Sequence, residues 1–409
     1  MTSEFPLEKL GKFVSVKSGF PFSSNDMGDV GAPIIKIGNI TPPKIDINNV
    51  QRISFKKISE DPRIQKFALE KGDILIALTG ATVGKMGRMP QTKEVFYLNQ
   101  RVGKIFFHNQ IQIDRDFIYY ALSQENNIEM MFGFADGSAQ ANLSGAQIES
   151  IEIPFPPISE QTKIAGILGA LDKQIELNNL MNATLESIAS VVFKSWFVDF
   201  DPVGAKIKAN LPSKMAIEIA ATFPSGFQSS DHGEIPEGWA SLKWGDIAIL
   251  EYGKALIGYK FANAPYKVYG TNGAIGWHTE ALCLSEGIII GRKGAYRGIH
   301  YSPDPFFVID TAFYLHPVKK FSMKWAYYEL LRVDINGMDS GSAIPSTSRT
   351  DFYNIPVIFP SEDVLNAFEI VIAPIFSMIY ANNKESRTLA SLRDALLPKL
   401  MRGEVRVKG

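Results

Sequence analysis

The chain states one pattern twice, and that repetition limits its folds more than any other feature. Ile151-Glu152-Ile153-Pro154-Phe155-Pro156-Pro157 leads into one helical stretch. Ile355-Pro356-Val357-Ile358-Phe359-Pro360-Ser361 leads into another, 204 residues later. The same offset relates Asn178-Asn179 to Asn382-Asn383 and Gly137 to Gly341. A globular module and a long helix, each made twice in one polypeptide, predict a pseudo-two-fold object. Such an object suits a target with its own two-fold relation, and duplex DNA is the commonest one.

Within each repeat, short β-type runs alternate with Gly/Pro/Asn turns. The first module carries them near 11–16, 34–37, 73–78 and 96–107, followed by a short helix at 116–123. The second repeats the order near 247–250, 287–291, 306–315 and 324–331. Offsets drift between these landmarks, so the framework is kept while the loops change, as in recognition surfaces that diversify.

The first long helix is expected over 159–200, with Ser159 as N-cap and Glu160 favouring the helix dipole. Ile164, Leu168, Leu171 and Ile175 step by four, three and four; Met181, Leu185, Ile188 and Val192 repeat those steps. This predicts a coiled-coil-like seam displaced near Asn178-Asn179. Its partner seam is Phe368, Ile372, Ile375 and Ile379, then Leu389, Leu392 and Leu396. The two helices are expected to pair antiparallel, since each seam otherwise lacks cover. Pro374 should kink the second helix, and Pro398 should end or kink it again. The expected class is α+β: two pseudo-two-fold-related mixed α/β modules separated by two long antiparallel helices. The segments are 1–157, helix 158–200, a Pro/Ser/Gly-punctuated connector 201–235, module 236–360, and helix with C-terminal segment 361–409.

A length of 409 residues suits two or three domains. The single cysteine, Cys283, excludes an intrachain disulfide and a cysteine-based metal site, and the five histidines are scattered. No apolar run approaches the ~20 residues that a membrane helix needs. A soluble, cytoplasmic protein is expected, with no membrane partner and no metal site. The formal net charge of −1 argues against binding nucleic acid by bulk charge but leaves room for local basic patches.

Gly80-Ala81-Thr82-Val83-Gly84-Lys85 falls one residue short of a nucleotide-phosphate loop and places Met86 where Ser or Thr should hold magnesium. A glycine turn bearing Thr82, Lys85 and Arg88 is better read as a loop approaching a phosphate backbone. Arg292, Lys293, Tyr296 and Arg297 form its counterpart. Amide and hydroxyl side chains that could read base edges are Asn99, Gln100 and Arg101, and Ser138, Gln140 and Asn142. In the second module they are Thr271 and Asn272, and Ser342, Ser346, Thr347, Ser348 and Arg349. Lys17, Ser18 and Phe20 near the start correspond to Tyr252, Lys254 and Tyr259, and Lys36, Asn39 and Lys260 are further candidates. No hydrolase elbow, zincin motif or dinucleotide fingerprint occurs, and no amino-methyltransferase motif, so the chain reads as a binder without catalytic residues.

Several runs carry a family resemblance: Phe193-Lys194-Ser195-Trp196-Phe197-Val198-Asp199-Phe200-Asp201-Pro202-Val203, Gly233-Glu234-Ile235-Pro236-Glu237-Gly238-Trp239, and Pro156-Pro157-Ile158-Ser159-Glu160-Gln161. Others are Leu396-Leu397-Pro398-Lys399-Leu400-Met401-Arg402-Gly403-Glu404 and Asp136-Gly137-Ser138-Ala139-Gln140-Ala141-Asn142-Leu143. On these the chain resembles the specificity (S) subunit of type I restriction–modification systems over essentially its full length. The resemblance implies that the modules are target-recognition domains, each reading half of a split site on double-stranded DNA. The helices would be spacers that set the distance between half-sites. Two modification (methyltransferase) subunits carrying S-adenosylmethionine would dock on them, joined by restriction/translocase subunits using ATP and magnesium. This chain would need no cofactor of its own. The alternative is an orphan two-domain DNA-binding or scaffold protein, which gene neighbourhood would distinguish.

Overall fold

The computed structural model describes residues 4–108, 112–135, 141–208, 215–259, 264–338 and 345–406. The chain divides into two compact units, one of Met1–Glu176 with Ser386–Gly409 and one of Leu177–Glu385. Each unit therefore holds one module and part of both long helices.

Both units are built on one strand plan. In unit 1 a sheet begins in the order Val14–Ser18, Val102–Phe107, Ile74–Ala77, Met86–Arg88. In unit 2 the order is Ala248–Tyr252, Ala312–Pro317, Gly287–Gly291, Ile299–Ser302. Beside it lies a second sheet in which Ala32–Ile35 pairs parallel with Phe96–Leu98, as Tyr266–Gly270 does with Phe306–Val308. The middle strands Ile74–Ala77 and Gly287–Gly291 are buried throughout, which fits their unbroken apolar character. The expected single runs at 96–107 and 306–315 each divide into two strands around a turn. A helix at Glu125–Ala135 in unit 1 lies beyond the one expected. A short antiparallel pair ties each module to its long helix: Leu7–Lys9 with Glu152–Pro154, and Ala240–Lys243 with Pro356–Phe359.

The long helices span Ile158–Phe197 and Glu362–Arg402, 40 and 41 residues. At 1.5 Å per residue each is about 60 Å long. Ser159 is not the N-cap. The Pro157 carbonyl accepts from the Glu160 and Gln161 N–H groups, which places Ser159 inside the first turn. Gln161, fully buried, satisfies two further backbone groups there, donating to the Pro156 carbonyl at 2.9 Å and accepting from Asp114 N–H at 3.0 Å. At the far end Phe200 takes a left-handed backbone (φ 54°), a strain of about 1–3 kcal/mol. Its ring packs on Trp239 and Phe227, with centroids 5.6 and 6.1 Å away.

The helices run antiparallel within each unit. In unit 1 Ile164 and Leu168 share a core with Leu397, Leu400 and Met401, and Asp172 meets Arg393 at 2.7 Å. In unit 2 Asn178 reaches Glu385 at 2.9 Å while Phe193 lies against Phe368. The seam differs from the expected one beyond Ile175. Asn178 and Asn182 are buried in it, followed by Ala189, Phe193 and Trp196. Met181 and Ile188 face outward, 48% and 47% exposed, and so does Leu392, the counterpart of Ile188, at 46%. The steps of four and three continue unbroken through the asparagines; an apolar search skips these polar layers and lands on the wrong face. Leu185, Val192 and Leu171 are half-buried, as are Ile375, Ile379, Leu389 and Leu396.

Neither Pro374 nor Pro398 interrupts the second helix, which is helical from Glu362 to Arg402. Pro374 is exposed, and so is Ile370, whose carbonyl the proline leaves without a partner, so water can supply one. This helix also contains an 18-residue window of mean hydropathy 1.8, contrary to the expectation that no such run existed. Its apolar residues are divided between the core of unit 2 (Val364, Leu365, Phe368, Ile372) and an outer face (Ile370, Met378).

The expected connector is folded. It forms helices Asp201–Ile207 and Ile217–Thr222 and the hairpin Phe227–Ser230 with Gly233–Pro236. Val203, Phe223 and Ile235 join the aromatic core of unit 2 around Trp196, Phe197, Phe368 and Trp325.

Candidate nucleic-acid interface

In unit 1 five chain segments meet at one end of the paired sheets, held by main-chain hydrogen bonds. Gly19 N–H donates to the Val102 carbonyl at 3.1 Å, Phe20 N–H to Leu98 at 2.8 Å, and Asn99 N–H to Ile35 at 3.1 Å. Leu78 N–H donates to Arg101 at 3.0 Å, Leu143 N–H to Leu78 at 2.7 Å, and Gly80 N–H to Ala141 at 3.1 Å. Unit 2 repeats all six. Gly253 donates to Ala312 (3.1 Å), Lys254 to Val308 (2.9 Å), Ile309 to Tyr269 (3.0 Å), Arg292 to Thr311 (2.9 Å), Thr347 to Arg292 (2.9 Å), and Gly294 to Pro345 (2.9 Å). Two glycines make the close crossing feasible. A Cβ on Gly19 would lie 2.3 Å from the Leu98 carbonyl oxygen, and one on Gly253 2.1 Å from that of Ile309. Sequence reasoning named their neighbours and missed the glycines.

The side chains hung on this common frame differ. Where unit 1 has Leu78-Thr79-Gly80, unit 2 has Arg292-Lys293-Gly294; where unit 1 has Asn99-Gln100-Arg101, unit 2 has Ile309-Asp310-Thr311. In unit 1 Lys17, Ser18, Arg101 and Asn142 are exposed and Gln100 and Phe20 half-buried. Burial, then the charge of Arg101, lowers the pKa of the Lys36 ammonium, so two cations share this end. In unit 2 the Arg292 guanidinium lies 4.7 Å from the Tyr252 ring centre and donates to the Asp310 carbonyl at 3.0 Å. Arg349 covers the same ring at 5.1 Å and donates to Tyr353 Oη at 2.7 Å. Lys293 reaches Asp310 at 3.7 Å. Tyr252, Lys254, Asn272 and Tyr296 are exposed. Cations held over aromatic rings are pre-ordered for phosphate or base contact.

Other expected contact residues also hold bonds within the fold. Arg297 is 4% exposed and donates to the carbonyls of Asn336 and Met338, both at 2.8 Å. Asn39 is buried and closes a turn, accepting from Lys36 N–H and donating to the Asn49 carbonyl. Asn99 is buried too and accepts from Arg101 N–H. Thr271 donates to the carbonyls of Lys293 and Thr311, and buried Thr347 to that of Gly291. Ser348 caps the helix Arg349–Asn354 and Ser346 bridges to Lys293. Tyr259 accepts from Trp277 N–H through its carbonyl. Thr82 lies in the short turn Gly80–Thr82. Arg88 and Lys85 face the long helices: Arg88 reaches Asp172, and Lys85 lines a cavity with Asp172 and Arg393. Ser138, Gln140, Lys260 and Ser342 lie outside the described residues. Among the described residues no three His, Cys, Asp or Glu side chains are grouped to hold a metal ion.

Residues 3–187 match the family model for the type I restriction modification DNA specificity domain. The chain is 24% identical over 427 residues to the type I restriction enzyme HindI specificity subunit of Haemophilus influenzae, covering 88% of this chain and 92% of that protein. It is 26% identical over 334 residues to the MjaIX specificity subunit of Methanocaldococcus jannaschii, covering 72% and 69%. The crystal structure of a type I restriction–modification S subunit from M. genitalium shares the fold, with a TM-score of 0.58, 19% identity, and 98% and 96% of the two chains covered.

Proposed function

We propose, from the premise that the chain belongs to the family of type I restriction–modification specificity subunits, that each unit reads one half of a bipartite sequence in double-stranded DNA. The observation that carries this reading is the repeated frame: six equivalent main-chain hydrogen bonds present different side chains in the two units. One scaffold then makes two readers of different sequence. Lys17, Gln100, Arg101 and Asn142 are the leading contacts in unit 1. Tyr252, Lys254, Arg292, Lys293, Tyr296 and Arg349 are those in unit 2. Cations neutralise phosphates and set register, while amides and the arginine fork discriminate base edges.

The chain is the recognition component, not the catalytic one. Modification subunits bearing S-adenosylmethionine dock on the long helices, and restriction subunits using ATP and magnesium join them. The outward stripe of Leu177, Leu180, Met181, Ile188 and Val191, each 47–63% exposed, supports docking there. With helices about 60 Å long, half-sites about one helical turn of DNA apart, ~34–36 Å, are within reach.

The test is to co-express the chain with its modification subunits and map adenine methylation across the genome. A bipartite motif that disappears when this gene is deleted is expected. R292A/K293A should weaken recognition of one half only. Methylation unchanged by the deletion would refute the reading.

A further inference from the structure

Each module meets its long helices at an equivalent joint, and the two joints carry different residues at matching positions. Strand register defines the equivalence. Arg88 sits opposite Ile74, as Tyr301 sits opposite Ile288, on matching strands. The 204-residue repeat pairs Asp172 with Phe376 and Arg393 with Ala189.

In unit 1 the joint is ionic. Arg88 donates to Asp116 at 2.9 Å and reaches Asp172 at 3.5 Å, and its guanidinium lies 4.0 Å from the Tyr119 ring centre. Asp172 accepts from Tyr120 Oη at 2.6 Å and from Arg393 at 2.7 Å. Arg88 and Arg393 are each 24% exposed and Asp172 15%. Beside them lies a cavity of about 240 Å³, lined by Lys85, Tyr119, Tyr120, Asp172, Arg393 and Leu397. In unit 2 rings take the places of Arg88 and Asp172, with an ion pair beside them: Lys324, the counterpart of Asp116, donates to Glu369 of the long helix at 2.6 Å and to Glu286 at 3.1 Å. Tyr301 meets Phe376 edge-on at 5.1 Å, and Tyr328 packs on Phe376 at 6.1 Å and on Phe193 at 5.5 Å.

The Gly80–Lys85 loop leads into the strand that Arg88 ends, and Lys85 lines the cavity beside Asp172 and Arg393, so this joint adjoins both the loop and the two helices. We propose that Asp172, bridging Arg88 and Arg393, is a positioning group that fixes the first module on its helices and thereby sets the DNA spacings the complex accepts. The inference rests on the DNA-reading function proposed above. A directional ionic bridge beside a cavity permits more than one arrangement when weakened, whereas at the second joint the rings packed around Phe376 add a fit of shape to the Lys324–Glu369 pair.

The experiment uses the complex with its modification subunits. Methylation rates are compared on duplexes with the native spacer and with spacers one base pair shorter or longer. Asp172→Ala should raise the relative rate on altered spacers by about tenfold, within the range of a lost coupling interaction. Discrimination against base changes inside either half-site should stay as in the parent. The triple variant R88Y/D172F/R393A, which installs the residues of the second joint, should restore the parental spacing ratio. That rescue separates positioning from mere folding; where Asp172→Ala is insoluble, Asp172→Asn, which keeps the shape and removes the charge, takes its place and should shift the ratio in the same direction. A parental spacing ratio in Asp172→Ala, or a triple variant that folds yet remains permissive, would overturn the inference. A parent complex that methylates no bipartite site would sink the DNA-reading function itself, before any variant is made.

Discussion

Asn182 offers the sharpest test of how the helices recognise each other. It is 7% exposed, donates to Asn383 Oδ1 at 3.0 Å and accepts from Asn382 Nδ2 at 2.8 Å. Asn182→Ala removes both bonds, each contributing about 0.5–1.5 kcal/mol. Asn383 is exposed and can turn to water, whereas Asn382 is half-buried and recovers less. The sum is a loss of about 2 kcal/mol. Asn182→Leu loses the same bonds but buries a side chain worth about 1.5–3 kcal/mol, so its net change should be near zero. All five tryptophans, Trp196, Trp239, Trp244, Trp277 and Trp325, lie in unit 2. Tryptophan fluorescence during urea unfolding therefore follows that unit alone and avoids treating the whole chain as two-state. A double-mutant cycle with Asn383→Ala should give a coupling of about 1 kcal/mol. If Asn182→Ala matches the parent within about 0.5 kcal/mol, the polar layer does not hold the helices in register, and the reasoning fails.

Gln161→Ala should leave Asp114 N–H and the Pro156 carbonyl unpaired at about 1–3 kcal/mol each. Faster hydrogen exchange at the Asp114 amide checks it, and Gln161→Leu, though apolar like its counterpart Leu365, should show the same acceleration. Burial pushes the Cys283 thiol up to about 12. At pH 8 the folded chain should hold about a thousandfold less thiolate than the unfolded one, read as slow iodoacetamide alkylation that accelerates in urea. Because the unfolded chain releases that proton first, the same shift should erode stability as pH rises above about 8.5 toward 12.

Much of this architecture was legible because it rests on repetition and period. Strand 287–291 and helices 115–122 and 323–331 carry strong local patterns, and the 204-residue offset marks the helices. The seam was legible in full only to Ile175, with Leu185 and Val192 beyond it. Beyond it the buried positions are Asn178 and Asn182, and no hydrophobic search selects an asparagine. The candidate contact residues were harder to read. Arg88, Arg101 and Arg297 look alike in sequence, yet Arg88 faces the helices, Arg101 is exposed and Arg297 is buried under carbonyls. Which way an arginine turns depends on strand register, and register is a property of the pairing partner. Gly19 and Gly253 escaped notice for a related reason: their role exists only where a second strand passes.

Because the six bonds of each loop frame use main-chain atoms alone, they impose almost nothing on the side chains they display. Any residue that keeps its amide proton can occupy position 79, 100, 293 or 310 without unmaking the scaffold; proline at the donor positions and bulk at the two glycines are the exceptions. The surface the molecule displays is thereby free to drift in evolution while its fold stays put, one unit at a time.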